Sequence, residues 1–327
     1  MPPARARRVG KTPLNERAFH AWLSRRLPWG SAGLLPLGDD AAALRPPEGE
    51  LVVASVDSFV QGHHFLPDTP PELLGRAAVA AGLSDVASKG ARPCAILLAV
   101  VVPVGTPQRW AERLVLGAER TAAAAGAHVV GGDTKPGPTP MVAGVAFGWA
   151  PPDRLRARSA ARPGELLVTT GTVGRGGASS IGLSERGPRR ERAVARMLEL
   201  TARVREGPVL ARYARAQLDT SDGLAESARL LARASRVRVV VDEASLPWDR
   251  RLLRLPPERR RTIGFYGGDY ELLATVPPSV VGRARAALAR LGCPLRVIGT
   301  IGIGRGAFLR VGAREIELPH AGWQPFE

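Results

Sequence analysis

Asp39, Asp40, Asp57, Asp85, Asp133, Asp219, Asp222 and Asp269 do not fall where solvating charge usually falls. They recur beside Gly, Ser or Thr at the ends of apolar runs: Gly38-Asp39-Asp40, Ser55-Val56-Asp57, Ser84-Asp85, Gly132-Asp133-Thr134, Asp219-Thr220-Ser221-Asp222-Gly223 and Gly267-Gly268-Asp269. Element ends leave backbone exposed on a rigid scaffold, and sites collect there. Carboxylates without His or Cys partners suit hard, oxygen-preferring ions, so the implied metal is Mg²⁺ rather than zinc. Neighbouring glycines let phosphate oxygens approach backbone N–H groups. Several carboxylates sharing Mg²⁺ beside glycine turns point to phosphoryl transfer. Taken singly, a Gly-Asp or Ser-Asp pair is more often a turn or a helix N-cap than a ligand. The collection is informative where each member is not.

Periodicity outlines the elements that must position these residues. Asn15 caps a helix whose apolar positions Phe19, Trp22, Leu23 and Leu27 follow helical spacing, ending before Pro28. Strands are expected at Leu51–Val56, Ala95–Val102, His128–Val130 and Met141–Trp149, with helices at Pro71–Lys89 and Pro107–Ala125 closed by Gly90 and Gly126. Ala150-Pro151-Pro152-Asp153 reads as a domain boundary. Beyond it the expected strands are Glu165–Thr170, Val237–Val241, Leu272–Val276, Leu295–Ile301 and Ala307–Val311, and Leu218–Asp222 enters a helix through Ser221-Asp222-Gly223 that reaches about Ala234. Ala178–Leu183 begins a helix, Arg186–Gly207 reads as one charged helical stretch, and Pro278–Leu291 is a further helix. The pattern is mixed α and β in two similar-sized halves, residues 1–150 and 151–327.

Length and composition bound the class. At 327 residues and 45% hydrophobic, the chain has material for two cores and is not a disordered tail. No apolar run approaches the roughly 20 residues of a spanning helix, and the basic start leads into no apolar segment of a signal peptide. Cys94 and Cys293 sit in apolar stretches without metal spacing and read as reduced core residues, from which a cytoplasmic location is expected. The net charge is +16, yet Lys11, Lys89 and Lys135 are the only lysines among 46 basic residues. Arginines spread along the chain, with aromatics at 5%, argue for a composition bias and against a nucleic-acid surface. Runs such as Pro188–Arg192 and Glu258–Arg261 read as solvated faces or loops. The positive field still favours a polyanionic ligand such as a nucleotide.

Other nucleotide and catalytic motifs fail. There is no P-loop. Gly171-Thr172-Val173-Gly174-Arg175-Gly176-Gly177 follows a strand and precedes a helix, but its spacing is not that of a dinucleotide loop, and it reads as a structural turn. His63-His64 lacks a third nearby ligand for zinc, and no nucleophile elbow is present.

Seven segments stand out in order along the chain: GDDAAAL (38–44), SVDSFVQGHHF (55–65), GLSDVASKGARP (82–93), GGDT (131–134), LDTSDGLAESARLL (218–231), GGDYELL (267–273) and GWQPF (322–326). Together they resemble the thiamine-monophosphate kinase family, within the superfamily of aminoimidazole-ribonucleotide synthetase. The resemblance implies a PurM-like α/β (α+β) fold of two domains. The N-terminal domain would bear a mixed sheet that pairs in a homodimer, and the C-terminal domain would supply ATP and thiamine-phosphate contacts. It implies transfer of the γ-phosphoryl of ATP to thiamine monophosphate, by direct in-line attack across several Mg²⁺ ions. Divalent cations between two phosphates of like charge relieve their repulsion. Carried over by position, Asp40, Asp57, Asp85, Asp133, Asp219 and Asp222 would hold the ions, with Ser55 adding an oxygen and Asp39 the alternative to Asp40. Asp57, Asp133 and Asp222 would be catalytic. Gly132, Asp133, Ser221 and Arg158 would contact ATP, and His64 and Trp323 the thiamine substrate.

Three positions depart from the pattern that the resemblance implies. Val56 stands for a common Thr, Lys89 for a usual Met, and Gly268 for the glutamate of Gly-Glu-Asp-Tyr-Glu, which bears on thiamine-side recognition. The rival readings are a superfamily member of the ring-closing synthetase type, a paralogue with altered substrate, and a basic nucleic-acid-binding protein. Asp219–Leu224 and His64-Phe65 speak against the synthetase, and neither cysteine is placed as the selenophosphate- or thiocyanate-forming relatives require.

Overall fold

The computed structural model describes residues 13–27, 41, 44–183 and 185–320. By contact density the chain divides into two compact units, residues 1–45, 56–79 and 94–146, and residues 46–55, 80–93 and 147–327. In chain order the first elements are α1 (Glu16–Arg26), β1 (Leu51–Val60), α2 (Pro71–Ser88), β2 (Arg92–Val102), α3 (Gln108–Ala124), β3 (His128–Pro136) and β4 (Met141–Ala150). Four strands form a sheet in the order β1-β4-β2-β3, with β3 parallel to β2. The Asn15 side chain accepts from Ala18 N at 3.0 Å, which is the expected cap of α1.

β3 runs further than its apolar start suggested, through Gly131, Gly132 and Asp133 to Pro136. It does so because Gly132 lies on β2: a Cβ there would sit 2.0 Å from the Leu98 carbonyl oxygen. A residue chosen in sequence terms as a phosphate-loop glycine is required first by strand packing.

The remaining elements are β5 (Leu166–Thr170), α4 (Arg175–Ser180), α5 (Pro188–Leu198), α6 (Glu206–Leu210), β6 (Gln217–Asp219), α7 (Leu224–Ser235), β7 (Arg238–Asp242), α8 (Pro257–Gly264), β8 (Leu272–Val276), α9 (Val281–Ala289), β9 (Leu295–Gly302), β10 (Gly306–Val311) and β11 (Arg314–Glu317). Seven strands form a sheet in the order β11-β10-β7-β9-β5-β8-β6, antiparallel except for the β10–β7 pair. Period-2 alternation divides its side chains between two cores. Leu167, Leu218, Leu273 and Ile298 pack with Leu224, Ala228 and Leu231 of α7, while Val168, Leu272, Ala274 and Val276 pack with Leu210, Ala284 and Leu288. β8 is therefore buried on both faces, which is why Leu272–Val276 reads as an unbroken apolar run.

The stretch Arg186–Gly207 is not one helix. It breaks after α5, where Leu200 is buried, and Arg203 meets Glu271 through Nε and Nη2 at 2.6 Å each. A long-range ion pair overrides local helical preference there. Cys94 and Cys293 are free and buried, and burial pushes their thiols up to about 12 and about 11. Among the described residues no helix is long and apolar enough to cross a membrane.

Candidate active site

Asp219 ends the short strand β6, the last of the seven-stranded sheet, and is only 8% exposed. Two hydroxyls hold it: Ser84 Oγ donates to Oδ2 at 2.7 Å and Ser221 Oγ to Oδ1 at 3.0 Å. Ser227 Oγ donates to its carbonyl at 3.0 Å, tying the strand to the first turn of α7. Gly223 opens that helix with φ near +94°, and a Cβ there would meet the Phe265 carbonyl oxygen at 2.1 Å. Only glycine permits both the dihedral and the approach.

Ser84 belongs to α2, and its neighbour Asp85 presents a second carboxylate, on which Ser55 Oγ of β1 donates to Oδ2 at 2.5 Å. Burial pushes the Asp219 carboxyl up to about 6, with the Asp85 charge adding to the shift against the two serine hydroxyls. Burial also raises Asp222, with Glu226 and Asp85 pressing the same way and Arg158 opposing. These carboxylates thus share a site that is short of positive charge. Besides Arg158, Lys89 is a cation that these carboxylates influence. Its Nζ donates to the Gln217 carbonyl at 2.9 Å; burial lowers its ammonium to about 8, Arg158 pushes the same way, and Asp219 and Asp85 resist.

The donor set is carboxylate and hydroxyl oxygen, which fits Mg²⁺ and not a soft metal. Among the described residues no three His, Cys, Asp or Glu groups close into a cluster that could hold an ion unaided. Mg²⁺ does not demand one, because it commonly keeps waters and takes one or two carboxylates plus substrate phosphates.

Of the remaining expected residues that the structure describes, Asp57, His64, Gly132 and Asp133 belong to the other unit, while Ser55 and Arg158 belong to the unit of Asp219. Ser55 and Asp57 are two apart on β1 and so share a strand face, whereas Val56 points to the opposite face and is 63% exposed. A threonine at Val56 would therefore add no oxygen to the Ser55–Asp57 face. Asp133 is exposed on β3 beside Gly132 and receives Lys135 Nζ at 2.6 Å. His64 follows β1; its Nδ1 accepts from Val60 N at 3.1 Å and its ring lies edge-on to Phe59. Arg158 is exposed, and its carbonyl accepts from Ser235 Oγ. Asp39, Asp40 and Trp323 lie outside the described residues.

Gly267-Gly268-Asp269 looked like another acidic site motif and is used differently. Asp269 is buried, and its two oxygens accept from Gly174 N at 2.7 Å and Gly176 N at 2.9 Å. The N–H groups of the 171–177 loop are thus taken by a carboxylate, in keeping with a structural turn. Burial nevertheless pushes Asp269 up to about 7, against the two N–H donors. Gly268, at φ +81°, donates its N–H to the Ser221 carbonyl at 2.7 Å. Sequence reasoning passed over Ser84, Gln217 and Arg203 as partners. The adjacency of Ser84 to Asp85 signalled the first, while the others depend on distant contacts.

Comparison with known proteins gives the family. Residues 38–150 match the family model for AIR synthase related protein, N-terminal domain, and residues 162–312 that for the C-terminal domain. The thiamine-monophosphate kinase of Synechococcus elongatus is 36% identical over 298 residues, covering 83% of this chain and 88% of that protein. The crystal structure of thiamine-monophosphate kinase from Stenotrophomonas maltophilia K279a superposes with a TM-score of 0.78 at 29% identity, over 93% of this chain and 99% of that one. AaThiL complexed with AMPPCP and TMP superposes with a TM-score of 0.73 at 26% identity, over 86% and 89% of the two chains. The PurM-like two-sheet α/β architecture expected from the motifs is the one found. The chain belongs to the thiamine-monophosphate kinase family.

Proposed function

We propose that this protein phosphorylates thiamine monophosphate with ATP, giving thiamine diphosphate and ADP. In the transfer a phosphate oxygen of thiamine monophosphate forms a bond to the γ-phosphorus as the bond to the β,γ-bridging oxygen breaks. The single observation that carries the reading is the buried Asp219 held by Ser84 and Ser221 beside Asp85 and Asp222, in a chain 36% identical to a thiamine-monophosphate kinase. AMPPCP, an ATP analogue, and TMP in a related structure support the choice of both substrates.

Several Mg²⁺ ions, held by Asp85, Asp219 and Asp222 with Ser55, Asp57, Asp133 and Asp39 or Asp40, would supply the positive charge that two meeting phosphates require. The chain's own contribution is positional. Asp219 is fixed by its two serine hydroxyls; on this reading Ser221, Arg158, Gly132 and Asp133 would contact ATP, and His64 and Trp323 the thiamine substrate. The division into an N-terminal domain over 1–150 and a C-terminal domain over 151–327 is supported by family-model limits at 150 and 162. A cytoplasmic, membrane-free enzyme is in keeping with buried free cysteines. Many of the arginines are ion-paired with Glu or Asp, as in Arg113–Glu72, Arg215–Glu165 and Arg261–Glu243, which favours a small-molecule substrate over nucleic acid.

A homodimer is supported by β1, an edge strand whose Leu51, Val52 and Val56 are 44%, 55% and 63% exposed. An apolar sheet edge of this kind is a template for pairing unless it is covered. Light scattering at micromolar concentration should give twice the chain mass; a monomer would remove the dimer from the proposal.

The deciding assay mixes purified protein, ATP, Mg²⁺ and thiamine monophosphate and follows thiamine diphosphate. Product formation that chelation abolishes is expected. ATP consumption without thiamine diphosphate would point to the substrate-altered paralogue, and no turnover at all would defeat the kinase reading.

A further inference from the structure

We propose that Asp269 is a positioning residue for the phosphoryl-transfer site: through the backbone of 267–268 it fixes the turn that carries Ser221 and Asp222. The inference rests on the reading of Ser221 as an ATP contact and of Asp222 as an ion ligand, and it adds a residue that serves the site from behind.

Every link lies within one compact unit. The Asp269 carboxylate spans two N–H groups of a single loop, Gly174 at 2.7 Å and Gly176 at 2.9 Å, and Arg175 Nη2 from the same loop donates to the Asp269 carbonyl at 3.2 Å. The loop packs on the turn before Asp269 with no side chain between them: a Cβ on Gly176 would sit 2.0 Å from the Gly267 carbonyl oxygen. That turn in its own right meets the backbone of 221–222. Gly268 N donates to the Ser221 carbonyl at 2.7 Å, and a Cβ on Gly267 would sit 2.8 Å from the same oxygen and 3.0 Å from the Asp222 carbonyl carbon. Three backbone segments are thus in direct contact, and close packing passes a shift in one to the next.

Backbone strain marks the same turn. Tyr270, directly after Asp269, has φ +54°. Among the described residues the other non-glycine at positive φ is Arg236, which ends α7 at a left-handed cap. Tyr270 ends no helix. A bulky residue in this region is costly, persists only where its surroundings over-determine it, and is found most often at functional sites. Glu271 supplies the contrast: its carboxylate holds Arg203 and Thr170 Oγ1, and neither belongs to the 221–223 turn.

A latch that serves only the fold and one that serves the site part company below the melting temperature. The test compares wild type, Asp269→Asn and Glu271→Gln in steady-state kinetics at a temperature where each is folded, varying ATP and thiamine monophosphate in turn. Asn at 269 keeps one acceptor and turns an NH₂ group towards the second N–H, so the loop loses half its hold. Asp269→Asn should raise the KM for ATP about tenfold, equivalent to about 1.4 kcal/mol, and leave the KM for thiamine monophosphate within about twofold. Glu271→Gln should melt lower and leave both KM values within about twofold. An unchanged KM for ATP in Asp269→Asn, or an equal rise in both KM values, makes Asp269 purely structural and overturns the inference.

Wild type supplies a second measurement that holds even if Asp269→Asn does not fold. Coupling between two sites is reciprocal. Saturating AMPPCP with Mg²⁺ should therefore slow amide hydrogen exchange at Gly174 and Gly176, whose N–H groups Asp269 already takes, as well as across 221–223. Protection of 221–223 with unchanged exchange at Gly174 and Gly176 also overturns the inference. Protection of neither segment would overturn the ATP-side reading beneath it and the inference with it, and is distinguishable because 221–223 itself then fails to respond.

Discussion

Asp219 and Asp269 are both buried aspartates next to small residues, and in sequence they look alike. The protein treats them differently. Asp269 is answered by fixed donors, the N–H groups of Gly174 and Gly176, and two residues on Glu271 is answered by Arg203 and by Thr170 Oγ1 at 2.7 Å. Asp219 receives only neutral hydroxyls, with Asp85 and Asp222 adding negative charge beside it. The first group is a latch that fastens the 171–177 loop and the 199–205 turn to β8. The second crowds carboxylates together with only hydroxyl partners, the arrangement on which the proposed Mg²⁺ reading rests. Burial raises both carboxyls, so what separates them is their partners: backbone N–H donors fasten Asp269, whereas further carboxylates crowd Asp219.

The comparison breaks most sharply on activity. Asp219→Asn should lower kcat by about a thousandfold if the carboxylate stabilises charge in the transition state, while the ion-free protein melts no lower or higher because a repelling charge is gone. A variant with near-normal turnover would place Asp219 with the latch instead. Glu271→Gln should show the reverse pattern. It leaves the partly buried Arg203 with Glu206 at 3.8 Å as its remaining carboxylate, at a cost of about 2–4 kcal/mol, and calorimetry should find a melting temperature lower by several degrees. Below that temperature kcat should stay within about tenfold of wild type.

Proton linkage sharpens the same contrast. Asp219 and Asp269 stand at about 6 and about 7 in the folded chain against the ordinary 3.8, so the folded state binds more protons than the unfolded one across that range. The stability their neutral forms contribute is present below pH 4 and is lost as pH rises towards 7. Melting curves in chelator should therefore fall from acid towards neutral pH. Saturating Mg²⁺ should flatten the lower part, which belongs to Asp219, and leave the upper part, which belongs to Asp269. Equal flattening of both would make Asp269 a ligand too. The smallest effect is expected for Ser55→Ala, which removes one hydroxyl from Asp85. The loss of one hydrogen bond to a charged group, about 1.5–3 kcal/mol, should appear mainly as weaker Mn²⁺ binding, with little change in melting temperature.

Much of this was legible in the chain before any coordinates. The cap at Asn15, the helix through Ser84 and Asp85, and the run from Leu218 into α7 all followed from spacing, because strong local periodicity and end signals agree there. What failed were places where distant partners decide. Arg186–Gly207 has helical composition throughout, yet the turn that carries Arg203 to Glu271 divides it. β3 extends through glycines because β2 leaves no room for a side chain at Gly132. β11 was not anticipated, being four exposed residues that depend on β10 for their pairing.

The sequence by itself determined the chemical inventory: hard oxygen donors without soft ligands, glycines at element ends, and the order of motifs that marks the family. Tertiary structure alone decided which of the similar acidic motifs is fastened by backbone N–H donors and which is crowded by further carboxylates. Ser84 lies 135 residues from Asp219, and Lys89 lies 128 from the carbonyl it holds. The ionisation of a carboxylate depends on burial and on its nearest charges, and those are set by folding over such distances rather than by the residues beside it in the chain.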